Sequence, residues 1–145
     1  MIVLDQVVKF WAITSLRPVG SIPLIQDVFH LTFARNTGAA FSILRGKQVF
    51  LIMLTSLVIL GLMFLMAKSI KEGGNKFMTL SLALIIGGAI GNFIDRVRLD
   101  YVIDYLDFTL INFPIFNAAD VFIVVGTCLL ALLVIVFNID MPAFK

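Results

Sequence analysis

The 145-residue chain is 61% hydrophobic and only 14% charged, with a net charge of +2 and a mean hydropathy of +1.08. A soluble domain carries about 25% charged residues, so this composition excludes a soluble globular fold and makes lipid the solvent for most of the surface. Acids and bases are interspersed, without the basic stripe that would point to nucleic acid.

In chain order, the first candidate span is Met1 to Leu16, which is apolar but interrupted by Asp5, Gln6 and Lys9. At about 1.5 Å per residue it reaches only ~24 Å, short for a membrane crossing. The start, Met-Ile-Val-Leu-Asp, has neither the basic region nor the small-residue cleavage site of a removable signal peptide. Targeting is therefore expected to reside in the spanning helices. From Arg17 to Lys47 the pattern is not helical. Phe29, Leu31 and Phe33 alternate with His30, Thr32 and Ala34, the period of a half-buried strand. Arg35-Asn36-Thr37-Gly38 then reads as a turn.

Three stronger spans follow, over about residues 48–67, 77–94 and 120–138. Lys68 to Lys76 is a short, basic, glycine-containing turn between the first two of these. Gly87, Gly88 and Gly91 in the span over 77–94 would let a neighbouring backbone approach closely. The lone cysteine, Cys128, lies within an apolar run; it is read as a buried small hydrophobe, and an internal disulfide is excluded. The chain is expected to form one domain over residues 1–145 and to act as a monomer. Short basic loops tend to stay cytoplasmic, which would place the acidic connection between the last two spans outside.

A charge near lipid costs free energy, so each acid needs a reason. Asn117-Ala118-Ala119-Asp120 opens the last span, and Asn117 with Asp120 reads as a helix cap. Asp100, Asp104 and Asp107 are spaced i, i+4, i+7 and would share one face of an interfacial helix if the stretch were helical. The alternative joins Asp104 or Asp107 to Asp120 at one membrane surface. Two carboxylates that share a proton can hydrolyse an amide, one as base on water and the other as acid, with neither metal nor cofactor. Asp5 and Lys9, four apart, read as an intrahelical ion pair, or as groups positioning the acidic site or a substrate. The only histidine, His30, cannot supply a His-rich zinc site, and no nucleophile motif adjoins it. A proton or ion relay through Asp5, Asp95, Asp104 and Asp120, and a binding protein that does not cut, are the competing classes of function.

Five blocks in order resemble the bacterial lipoprotein signal peptidases (signal peptidase II): Asp5-Gln6-Val7-Val8-Lys9; Arg35 to Ser42, reading Arg-Asn-Thr-Gly-Ala-Ala-Phe-Ser; Gly87 to Val97, which contains Asn92, Asp95 and Arg96; Val102-Ile103-Asp104-Tyr105; and Phe116-Asn117-Ala118-Ala119-Asp120. The resemblance implies a helical membrane protein with four transmembrane helices, a small extracytoplasmic β-cradle and an amphipathic arm, in the inner membrane with its site facing outward. It implies cleavage of prolipoproteins just before a diacylglyceryl-modified cysteine. The family's catalytic pair falls on Asp104 and Asp120. Asp107 is the rival for the first role, since Leu106-Asp107-Phe108 echoes the family's Val-Asp-Phe, but spacing from the Asn92 to Arg96 block favours Asp104. Asn36, Asn92, Asp95, Arg96 and Asn117 carry over as supporting or substrate-contacting residues. Only four residues precede Asp5-Gln6, fewer than is usual in the family, and Val121-Phe122 replace the small residues often found there.

Overall fold

The computed structural model describes residues 1–39 and 43–139, so Ala40-Phe41-Ser42 of the second resemblance block lies outside the described residues. Four α-helices and three strands follow in the order α1 (Ile2–Trp11), β1 (Ser21–Ile25), β2 (Phe29–Asn36), α2 (Gln48–Lys71), α3 (Lys76–Leu99), β3 (Val102–Asp107) and α4 (Ala118–Ile135). Three of these helices, α2, α3 and α4, are long and apolar enough to cross a membrane. The 24 residues of α2 and of α3 each measure about 36 Å, enough for the hydrocarbon and part of both interfaces. The outer faces of α2 and α4 carry exposed Leu57, Leu60, Phe64, Val124 and Ile135, apolar surface suited to the bilayer.

The first span is different. After ten α-helical residues the backbone widens into a π-helical turn, Ala12–Leu16, in which Arg17 N donates to Ala12 O at 2.8 Å. Its buried face holds Asp5, Lys9, Ala12 and Leu16, while Val3, Val7 and Phe10 point outward. The charges that weaken its apolar pattern thus face the protein.

Close backbone approach sets the α3–α4 contact, the most extensive helix pairing in the fold. A Cβ on Gly88 would run into the carbonyl oxygen of Ala119, and one on Gly91 would lie 2.5 Å from Asp5 Oδ2. Glycine is therefore required there by space, as small residues are wherever membrane helices touch. Met78, Leu82 and Ile86 of α3 and Leu133 of α4 form the core inside the bundle, with Leu62, Leu65 and Met66 of α2 packed against it.

β1, β2 and β3 form one antiparallel sheet in that order. The alternation from Phe29 to Ala34 is indeed a strand, which runs on to Asn36, so the expected turn begins only beyond Asn36. There Gly38 N donates to Asn36 Oδ1 at 3.0 Å, a local side-chain turn. β3 corrects the helical reading of Asp100, Asp104 and Asp107. Residues 102–107 are extended and pair with β2, with Ala34 opposite Asp104 and His30 opposite Asp107. Asp100 ends α3 in the left-handed conformation, at φ 63°. With a strand period of two, Asp104 and Asp107 point to opposite faces. Asp104 is buried and Asp107 is half-buried. Between β3 and α4 lies a single 3-10 turn, Thr109–Ile111, with Leu110 and Ile111 exposed. Cys128 is not buried as expected: it sits on the outer face of α4, because the inward face at that level is taken by Gly126, Leu129 and Leu130.

Candidate active site

The site forms where the last two turns of α3, the start of α4, the buried face of α1 and strand β3 converge. Asn92 lies seven residues before the end of α3, about 10 Å from it. Asn117 caps α4 and Asp120 completes a capping box: Asp120 N donates to Asn117 Oδ1 at 3.0 Å, and Asn117 N donates to Asp120 Oδ2 at 3.1 Å. The capping reading of Asp120 therefore holds. The box fixes the Asp120 side chain and leaves Oδ1 free for another partner.

That partner is Asn92, whose Nδ2 donates to Asp120 Oδ1 at 2.7 Å. Asn117 Nδ2 donates to Asp104 Oδ1 at 2.7 Å and to Asn92 Oδ1 at 3.1 Å. Asn36 of β2 also hydrogen-bonds Asp104. The two carboxylates are thus joined through the amides of Asn92 and Asn117. Burial, and then the charge of Asp120, push the Asp104 carboxyl up to about 7, while the amides of Asn117 and Asn36 and the Lys9 cation oppose the rise. Burial likewise holds the Tyr105 phenol up at about 12, so it stays neutral; its oxygen accepts from Ala118 N at 3.1 Å and steadies the start of α4.

Beneath the amides is a buried ion cluster. Lys9 Nζ lies 3.0 Å from Asp5 Oδ2, 2.8 Å from Asp95 Oδ2 and 2.8 Å from Asn92 Oδ1. Asp5 Oδ1 accepts from Ala119 N, tying α1 to α4, and Asp95 Oδ2 accepts from Ile103 N, tying α3 to β3. The Asp5–Lys9 pair expected within one helix is present, and it also bridges helices. Arg96 Nη2 donates to Gly38 O at 3.0 Å and holds the end of β2 over the site.

Asp104, Asp120, Asn36, Asn92 and Arg96 line a cavity of about 860 Å³, walled by Phe113, Pro114 and Phe116 and by the apolar face of α4 from Val121 to Val125. Val121, in place of the small residue usual in the family, forms part of this wall. Asp107 does not line it. Two members of the site escaped sequence reasoning about single residues. Gln6 donates to Asp5 Oδ2, Gly91 O and Asp95 Oδ1, and its signal was an amide lodged in an apolar stretch beside Asp5. Tyr105 gave no signal, since an aromatic residue between Asp104 and Leu106 reads as lipid contact. Among the described residues, no three His, Cys, Asp or Glu side chains are grouped to hold a metal ion.

Fold and site together define a membrane protein with a polar centre, in which Asp104 and Asp120 are linked through the amides of Asn92 and Asn117 beside its spanning helices. Residues 1–136 match the family described as signal peptidase (SPase) II, and the chain belongs to that family of membrane peptidases. It is 48% identical over 132 residues to the lipoprotein signal peptidase of Halothermothrix orenii, covering 91% of this chain and 88% of the relative. It is 45% identical over 139 residues to that of Clostridioides difficile, covering 95% and 91%. A bacterial membrane enzyme solved at 2.3 Å by the in meso method superposes with a TM-score of 0.85 at 34% identity, over 94% of this chain and 84% of that one.

Proposed function

We propose that the protein is an aspartic endopeptidase that removes the signal peptide from diacylglyceryl-modified prolipoproteins, cutting just before the lipidated cysteine, with Asp104 and Asp120 as the catalytic pair. The observation that carries this reading is the convergence of the buried Asp104 carboxylate and the half-buried Asp120 carboxylate, linked by Asn92 and Asn117, on one large and mostly apolar cavity. One proton is shared by the pair. The ionised carboxylate takes a proton from water as the oxygen attacks the scissile carbonyl carbon, and its protonated partner donates to the carbonyl oxygen. Collapse breaks the C–N bond, with a proton passing to the leaving nitrogen. The signal peptide departs with a new carboxyl end and the lipidated cysteine with a free amino group. The apolar α4 wall suits a substrate whose lipid and signal helix remain in the bilayer.

In this reading α1 and its π-turn form a fourth crossing: the 15 helical residues 2–16 span about 22 Å. The sheet and the acidic connection lie on the extracytoplasmic side of the bacterial inner membrane, and the chain acts as a monomer among lipids. Cleavage of a purified diacylglyceryl-modified precursor, with the new amino terminus read by mass spectrometry, tests the reaction. A terminus at the modified cysteine is expected, and a terminus elsewhere would refute the proposed cleavage position.

The raised Asp104 carboxyl fixes the expected pH dependence. Its proton is retained up to about pH 7 and lost above it, so kcat/KM should fall above about pH 7 as the pair loses its one proton. Activity still rising through pH 9 would contradict that role. Asp107 lies across the strand from the cavity, so Asp107→Asn should leave kcat within about twofold of wild type. A kinetic comparison in which Asp107→Asn is inactive and Asp104→Asn is normal would reverse the assignment.

A further inference from the structure

We infer that Lys9 is a positioning residue for the carboxylate pair: by holding Asn92 Oδ1 it fixes the polarity of a relay of amides, so that their N–H groups are delivered to Asp104 and Asp120. The inference rests on the proposed peptidase reading and deepens it.

Lys9 is 1% exposed, and its three ammonium protons meet three acceptors: Asp5, Asp95 and Asn92. A bare charge-balancing lysine would need only the two carboxylates. The third contact is the one that reaches the site. Asn92 Oδ1 accepts from both Lys9 and Asn117 Nδ2, which places Asn92 Nδ2 against Asp120 Oδ1 at 2.7 Å. Turning the Asn92 amide over would set its NH2 against two donors and its oxygen against a carboxylate, three contacts mismatched at once. Asn117 is fixed independently, because its oxygen is taken by Asp120 N in the capping box. Polarity thus enters the relay at two points, the backbone of α4 and the Lys9 ammonium.

The contact also polarises Asn92, since a donor carrying a full charge strengthens the hydrogen bond passed on to Asp120. The other charged or titratable groups around the pair are Asp5 from α1, Asp95 and Arg96 from α3, Tyr105 from β3, Arg35 from β2 and Arg45 before α2. Of the cations among them, only Lys9 is bonded to an amide side chain that holds the pair. Burial and the Asp120 charge raise the Asp104 carboxyl, and the Lys9 cation acts against both.

Lys9→Met leaves Asp5 and Asp95 buried without their cation, so that variant alone could fail by unfolding. The double variant Lys9→Met, Asp95→Asn removes one positive and one negative charge and keeps the cluster's net charge. It also keeps an oxygen for the Ile103 N–H, and it removes the Nζ contact to Asn92. Helical content and thermal unfolding in detergent establish that it folds; kcat, KM and the pH profile are then read on a diacylglyceryl-modified precursor. The expected result is a roughly tenfold fall in kcat with KM held within about twofold. The acidic limb should also move to higher pH, because the ionised carboxylate has lost support. A folded double variant with wild-type kcat and pH profile would overturn the inference and leave Lys9 as a charge neutraliser. Failure of both variants to fold would assign Lys9 to assembly and overturn it as well. Absence of cleavage by the wild-type protein would instead strike the peptidase reading itself, a separable outcome.

Discussion

Asp104→Asn and Asp120→Asn are each expected to lower kcat by at least ~10³-fold while the helices and sheet remain formed. In the proposed reaction the pair supplies both the base and the acid, and neither role survives in an amide. The two variants should differ in stability. Asp104 accepts from Asn117 Nδ2 and from Asn36, and an asparagine there keeps an oxygen for the first of these. Asp120 accepts from the Asn117 backbone through one oxygen and from Asn92 Nδ2 through the other. An asparagine at 120 must turn its NH2 towards one of these donors, so a cost of about 1–3 kcal/mol is expected.

The pH dependence separates them further. The Asp104 carboxyl is raised from 3.8 to about 7, so the folded protein keeps a proton that the unfolded chain has released. The resulting stabilisation is complete below about pH 4 and is lost as pH rises through 7. An asparagine at 104 carries no ionisation penalty, so Asp104→Asn should gain on the wild type across that window and be at least as stable at pH 8. Thermal unfolding in detergent at pH 5 and pH 8 checks this; a variant that loses ground to the wild type as pH rises would show that burial does not govern this carboxyl.

The second large effect is purely structural. Gly88→Val should cost more than ~3 kcal/mol or prevent folding, because its Cβ meets the backbone carbonyl of Ala119 and the side chain of Ile123, 2.8 Å away. A flexible side chain could move aside, but the first turn of α4 cannot move without displacing Asp120 from the site. Gly61 of α2 has nothing within 4 Å of its would-be Cβ. Gly61→Ala should therefore be neutral, or stabilising by up to about 1 kcal/mol through helix propensity. Equal thermal stability of Gly88→Val and Gly61→Ala would show that α3 and α4 are not held at the observed distance.

The parts legible in the sequence are those whose cause is local. α2, α3 and α4 follow from long apolar runs, and β2 from the alternation of Phe29, Leu31 and Phe33 with smaller or polar residues. The cap at Asn117 and the ion pair of Asp5 with Lys9 follow from spacings of three and four. β3 was hidden because its partner is distant: β2 pairs with it only after α2 and α3 have intervened. Asp100, Asp104 and Asp107, meanwhile, happen to match a helical period. Once the strand is seen, Asp104 and Asp107 fall on opposite faces, and only Asp104 of the two lines the cavity. The reach of Lys9 was hidden for a similar reason. Spacing shows its partner on α1 and cannot show Asp95 and Asn92, which α3 brings to the same point. Cys128 was misplaced because an apolar run does not reveal which of its faces meets lipid and which meets protein.

The most direct test of the central claim is cleavage of a diacylglyceryl-modified precursor by the purified protein in detergent, with and without a metal chelator, beside a folded Asp120→Asn control. Cleavage unaffected by the chelator and absent from the control is expected. Cleavage abolished by the chelator, or retained in full by Asp120→Asn, would contradict it.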